Sequence, residues 1–143
     1  MNATLIEDLL GYRIAKAAIP AYGVFQRCIG EPLRIRRVDF TVLALLRSND
    51  EVSLKGLCAE LHTSAPHLSV VVERLVKREL VKRVPNTHDR RMQHLVLTSK
   101  GQALADESLA IARTMEADML SHFTPAEKLM LFELLDKLND VDA

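Results

Sequence analysis

Asp89, Arg90 and Arg91 stand in succession near the end of a connection, Pro85-Asn86-Thr87-His88-Asp89-Arg90-Arg91, between two short β-prone segments at 80–84 and 92–97. A guanidinium is always charged and presents five donors in a flat fork. Two of them at a hairpin tip are suited to gripping oxyanions, and a nearby carboxylate can hold one fork in pose. A second set, Ser64, His67, Val70, Val71 and Arg74, falls on one face of a helix that begins near Ser64, opposite the apolar stripe Leu68, Val72, Leu75 and Val76. Both sets suit recognition rather than bond-making. The chain has no P-loop, no G-x-S-x-G, no pair of histidines on one helix and no Cys/His motif, and nothing sets a nucleophile beside a base. No enzyme activity, catalytic residue or cofactor is expected. His62, His67, His88, His94 and His122 show no i, i+4 pairing, and Cys28 and Cys58 have neither a disulfide framework nor zinc-type spacing, so no metal site is expected and both cysteines are read as thiols.

The elements that must position these groups are legible as periodicity and caps. Leu5, Leu9, Tyr12, Ala15 and Ile19 predict a helix over 4–29, with a bend or break near 17–21 at Pro20 and a stop at Gly30-Glu31-Pro32. Phe40, Leu43, Ala44 and Leu46 predict a helix over 38–47, ended by Ser48-Asn49-Asp50. Val52 suits a minimal strand, and Ser53 is a good N-cap for a short helix through Leu61 that turns Leu54, Leu57, Cys58 and Leu61 inward. After a turn at His62-Thr63, the next helix carries Pro66 in its first turn, where a missing N–H is harmless. Thr98 caps a long helix over 99–121, with Leu104, Ile111, Met115 and Met119 or Leu120 as its expected anchors. Thr124, Pro125 and Glu127 form the T-x-x-E start of a last helix bearing Leu129, Phe132, Leu135 and Leu138.

The 143 residues suit one compact unit with an extension for association. With 48% hydrophobic, 27% charged and only 4% aromatic residues, the composition favours packed helices and excludes an all-β fold or disorder. No apolar run approaches the ~18 residues of a membrane span, and the acidic start is unlike a signal peptide, so no membrane partner and a cytoplasmic location are expected. The zero net charge hides an asymmetry. Residues 1–30 carry 3 basic and 2 acidic side chains, 31–100 carry 13 and 8, and 101–143 carry 3 and 9. Within 62–100 the count is 8 to 3. A basic middle beside an acidic tail points to a polyanion-binding face.

Two short helices joined by a tight turn and followed by a hairpin with a basic tip is the order of a winged helix-turn-helix, in which the second helix enters the major groove and the hairpin reaches toward the flanking minor groove. The stretch 70–101, VVVERLVKRELVKRVPNTHDRRMQHLVLTSKG, resembles the recognition helix and wing of the MarR family of bacterial transcription regulators. Asp89 and Arg91 match its D-x-R wing tip, and Leu97, Thr98 and Gly101 match its L-T-x-x-G ending. The resemblance implies a mainly α fold with a small β-hairpin wing. Residues 31–100 would form the winged helix-turn-helix domain, and 1–30 with 101–143 a helical dimerisation region. It further implies a homodimer on a palindromic double-stranded operator whose half-sites lie about 34–36 Å apart. In that frame Ser64, Pro66, His67 and Val70 meet base edges, Val70 against a thymine methyl. Arg91 enters the minor groove held by Asp89, Arg90 meets phosphate, and Lys55, Thr63, Arg74 and Arg83 are further phosphate contacts.

The chain departs from the family pattern at two places. Glu79 stands where relatives usually have glycine, so a helix end must close without the residue that does so most easily, and Ile35-Arg36-Arg37-Val38-Asp39 replaces L-T-x-x-Q, putting arginine where a capping threonine is common. Arg36 and Arg37 could add phosphate contacts or an anion site. Many relatives are repressors released by aromatic or phenolic acids, for which Tyr12, Arg13, Tyr22 and Phe40 are the candidate lining here. Two rival readings remain: a thiol-based redox sensor of the same fold using Cys28, although the negative end of a helix disfavours its thiolate, and a helical adaptor that binds protein instead of DNA.

Overall fold

A computed structural model of the chain describes residues 5–86 and 93–140. After a turn at 5–8, helix α1 spans Leu10–Phe25, beginning later than the periodicity predicts because Leu9, at its N-cap, has no side-chain acceptor to offer. It runs through Pro20 without a break. The expected stop at Gly30-Glu31-Pro32 is also absent. A π-helical turn, Gln26–Gly30, carries the chain directly into the short helix α2, Glu31–Leu33, with the Glu31 amide reaching back to the Gln26 carbonyl. Pro32 then lies in the first turn of α2, where its missing donor costs little. The path ends at Arg34, in the left-handed region at φ 52°.

Helix α3, Arg37–Ser48, is capped by Asp39, whose carboxylate accepts the Arg36 amide at 2.8 Å. Arginine has no acceptor to return, so this is half of a capping box. Strand β1, Val52–Ser53, leads into α4, Leu54–Glu60, where the Ser53 hydroxyl accepts the Gly56 amide at 3.0 Å as expected. Helix α5, Ala65–Lys77, precedes β2, Val81–Pro85, and β3, Gln93–Leu97. The three strands form an antiparallel sheet in the order β1-β3-β2, with Val52 opposite Leu95 and Arg83 also opposite Leu95. Helix α6, Ser99–Met119, and helix α7, Pro125–Asn139, begin at Thr98 and Thr124, each hydroxyl accepting the amide three residues on; Glu127 returns the bond to Thr124, completing the predicted box.

Two apolar clusters meet on α6. The larger packs Val42, Leu43 and Leu46 of α3 against Leu57, Leu68, Val72, Leu75, Leu95 and Ala105; the smaller joins Phe25, Ile29 and Ile35 to Ala112, and Leu104 touches both. The predicted anchors of α6 are only half-buried. Its buried stripe is Gly101, Ala105, Ser108 and Ala112, because small side chains let this helix approach the rest of the domain closely. Arg47 of α3 and Asp106 of α6 add a two-point ion pair, 2.8 and 3.3 Å, and the carboxylate raises the pKa of Arg47. By contrast α7 buries no residue, and Leu129, Met130, Phe132, Leu134, Leu135 and Leu138 face water together with Leu10, Ile14 and Ile19 of α1. Among the described residues no helix is long and apolar enough to cross a membrane.

Candidate nucleic-acid interface

Helices α4 and α5 are joined by a turn that His62 closes at φ 45°, with the Thr63 amide bonded to the Cys58 carbonyl at 3.1 Å. This sharp reversal sets the first turn of α5 outward. Ser64 is its N-cap, with its hydroxyl making no capping bond, and Ser64, Pro66 and His67 are exposed. One turn further on, Val70 is 62% exposed, a large apolar side chain left in water on the same side. Thr63 is half-buried beside this face, while Lys55 on α4 and Arg83 on β2 are exposed cations. Val71, placed on the outer face by helical spacing, is 3% exposed and belongs to the core, because α3, α4 and the sheet all pack on α5.

Arg74 has a partner that spacing along one helix could not reveal. Its guanidinium is turned inward onto the carboxylate of Asp39, a residue only 1% exposed, which also holds the Arg36 amide. The signal that could have found Asp39 was present, since an acid three residues after a helix N-cap is a capping pattern. Asp89, Arg90 and Arg91 lie outside the described residues; the strands that lead into and out of their connection are described.

The base of this hairpin is clasped to the end of α5. Glu79 adopts the left-handed conformation at φ 59°, and the amides of Glu79 and Leu80 bond to the carbonyls of Val76 and Leu75 at 2.9 and 3.0 Å. This is the double-bonded helix end that glycine usually closes. The Thr98 hydroxyl donates to the Glu79 carbonyl at 2.6 Å and accepts the Gly101 amide at 3.0 Å, while the Thr98 amide bonds to the Leu80 carbonyl. A Cβ at position 101 would lie 1.9 Å from the Leu80 carbonyl oxygen, so the L-T-x-x-G ending is required by backbone contact.

The four residues expected to line an effector slot do not converge within one chain. Phe40 packs edge-on against Phe25, centroids 5.6 Å apart, in the smaller core cluster. Tyr22 lies under the Arg37 guanidinium at 3.4 Å, and Tyr12 and Arg13 share a separate shallow cleft with Glu7 and Lys16. Cys28 is exposed in the π-helical turn and Cys58 is half-buried on α4. His94 is buried on β3, with its Nε2 2.6 Å from the Asn86 amide nitrogen, and among the described residues no three His, Cys, Asp or Glu side chains gather as a metal site.

Comparison with known proteins agrees with this geometry. The sequence pattern of the MarR family matches residues 35–92. The HTH-type transcriptional repressor NicR of Pseudomonas putida is 28% identical over 137 residues, covering 96% of this chain and 86% of the relative. Bordetella bronchiseptica BpsR, whose DNA binding is regulated by 6-hydroxynicotinic acid, superposes with a TM-score of 0.85 at 27% identity over 94% of this chain and 96% of that one. The reduced form of MarR from E. coli gives 0.76 at 26% identity over 90% and 95%. With its helix-turn-helix, its hairpin between α5 and α6 and its flanking long helices, the chain shares the fold of MarR-family winged helix-turn-helix proteins and, over residues 35–92, their sequence pattern.

Proposed function

We propose that this protein is a homodimeric, sequence-specific DNA-binding transcription regulator, a repressor released by a small aromatic or phenolic acid. The observation that carries the reading is the outward face of α5, where Ser64, Pro66, His67 and Val70 stand clear of a core that fixes the helix from behind. Hydroxyl, imidazole and isopropyl groups on the N-terminal half of a helix suit base edges, and Lys55, Thr63 and Arg83 flank them as phosphate contacts. In this reading Asp89, Arg90 and Arg91, from the connection between β2 and β3, are further DNA contacts. Residues 31–100 form the DNA-binding unit in this reading, with 1–30 and 101–143 as the dimerisation region.

Dimerisation is supported by the apolar side chains that α1 and α7 leave in water, a quantity of exposed leucine, isoleucine and phenylalanine that a second copy of the same helices would cover. The repressor role and the effector class are supported by NicR and by the response of BpsR to an aromatic acid. Tyr12, Arg13, Tyr22 and Phe40 lie on separate parts of one chain, so a slot made from them needs the partner's helices or a shift of the winged domain.

Selection of bound sequences from random duplex DNA, with a salt titration of the selected site and light scattering of the complex, tests the reading. A palindrome bound by two chains, with affinity falling steeply as salt rises and weakened in Arg91→Ala, is expected. Failure to enrich any sequence, with weak binding indifferent to salt, would overturn it in favour of a protein-binding adaptor.

A further inference from the structure

Asp39 sits where the end of the first helical path, the start of α3 and the last turns of α5 meet. A cleft of about 430 Å³ opens beside it, and its walls are Arg34, Arg36, Asp39, Arg74 and Arg78. Four arginines and one carboxylate line it, a local excess of three positive charges. Arg74 is held by Asp39, yet its Nε is buried without a hydrogen-bond partner. Arg78 is fixed by donating to the carbonyls of Arg34 and Leu33 at 2.6 and 3.4 Å. Arg34 and Arg36 are exposed, and their guanidiniums have no bonding partner among the described residues.

These features are costly as they stand. A buried charged donor without an acceptor forgoes the compensation that nearly every such group receives, and like charges crowded around one cleft repel each other. Entry of an oxyanion relieves the crowding of like charges. The charge count selects its class, because a monocarboxylate would leave two positive charges uncompensated where a doubly charged ion leaves one. Forked donors arriving from several directions also match the oxygens of a tetrahedral group better than the two coplanar oxygens of a carboxylate.

We propose that the cleft between Arg34, Arg36, Arg74 and Arg78 is a binding site for a free phosphate dianion, either inorganic phosphate or the terminal phosphate of a monoester. The site is distinct from the aromatic slot assigned to Tyr12, Arg13, Tyr22 and Phe40, none of which lines it. Arg34 follows α2 as its left-handed cap, Arg36 precedes α3, and Arg74 and Arg78 close α5, so a bound phosphate ties three elements together at one point. Its binding step does not depend on what α5 recognises.

The test is calorimetric titration of the full chain with inorganic phosphate, against sodium chloride at matched ionic strength, in the wild type and in an Arg34→Gln/Arg36→Gln variant. Those two guanidiniums make no hydrogen bond or ion pair among the described residues, so the variant keeps its structure, which its thermal transition in chloride verifies. Saturable binding of phosphate, weakened at least about tenfold in the variant, is expected from the loss of two charge-assisted contacts. Heats indistinguishable from chloride, or undiminished binding by the variant, would overturn the site. A parallel titration with duplex DNA separates the remaining source: loss of duplex binding in the variant without any binding of free phosphate would assign the cleft to the DNA backbone and also overturn the proposal.

Discussion

The hydroxyl of Thr98 donates to the carbonyl of Glu79 at 2.6 Å, joining the first residue before α6 to the left-handed residue that ends α5. Around this bond the chain packs three dependencies: a helix end closed by an acid, a glycine against the Leu80 carbonyl, and the base of the hairpin. The orientation of α5 relative to the hairpin is therefore set by a few backbone contacts, and substitutions there have predictable signs.

At φ 59°, Glu79 carries the steric cost of a Cβ in the left-handed region and places a negative charge at the negative end of α5. Glu79→Gly removes both while costing some unfolded-state entropy. A net stabilisation of about 0.5–1 kcal/mol is expected, seen as a Tm higher by roughly 2–4 °C in a thermal melt. A lower Tm would mean that Glu79 has a compensating role.

Gly101→Ala should act in the opposite direction. Its Cβ would lie 1.9 Å from a carbonyl oxygen that is itself held by the Thr98 amide, so relief requires moving α6 away from Leu80. Destabilisation of about 2–3 kcal/mol is expected in urea unfolding, from overpacking against backbone.

Glu127 supplies a pH dependence. The backbone and side-chain hydrogen bonds with Thr124 and the nearby His122 hold its carboxyl below the usual glutamate value. A pKa lower in the folded than in the unfolded state means that its contribution is present above the unfolded value of about 4.3 and is lost as pH falls through the folded one. The Tm difference between wild type and Glu127→Gln should therefore exist at pH 7 and shrink below about pH 4. A difference that grows on acidification would contradict this sign.

Arg83 and Val70 should separate affinity from specificity. Arg83→Gln removes one exposed cation beside the proposed interface, so it should weaken binding to all duplexes alike and reduce the salt slope by about 1. Val70→Ser should leave that slope unchanged while altering preference at one base position, read by repeating the sequence selection. The reverse pattern would exchange their roles.

Much of the chain was legible from local signals. Ser53, Thr98, Thr124 and Glu127 each satisfy an amide within three residues, and the hairpin follows from two β-prone segments joined by a short connection; such interactions close within a turn of chain, so residue type and spacing specify them. The order of elements, and with it the winged helix-turn-helix and the outward face of Ser64, Pro66, His67 and Val70, followed from those signals and from helical periodicity. Tertiary structure decided what periodicity cannot: how much of a helix its neighbours cover and which distant charges meet. Val71 is core because α3, α4 and the sheet all pack on α5, and α6 turns its small residues inward because close approach requires them. The long helical path continues past Gly30 to Leu33 because a π-helical turn carries it into a segment that tolerates Pro32. Arg74 reads along the sequence as one more surface cation, yet it points at Asp39, 35 positions away, because desolvating that carboxylate without a partner would cost more than turning an arginine inward.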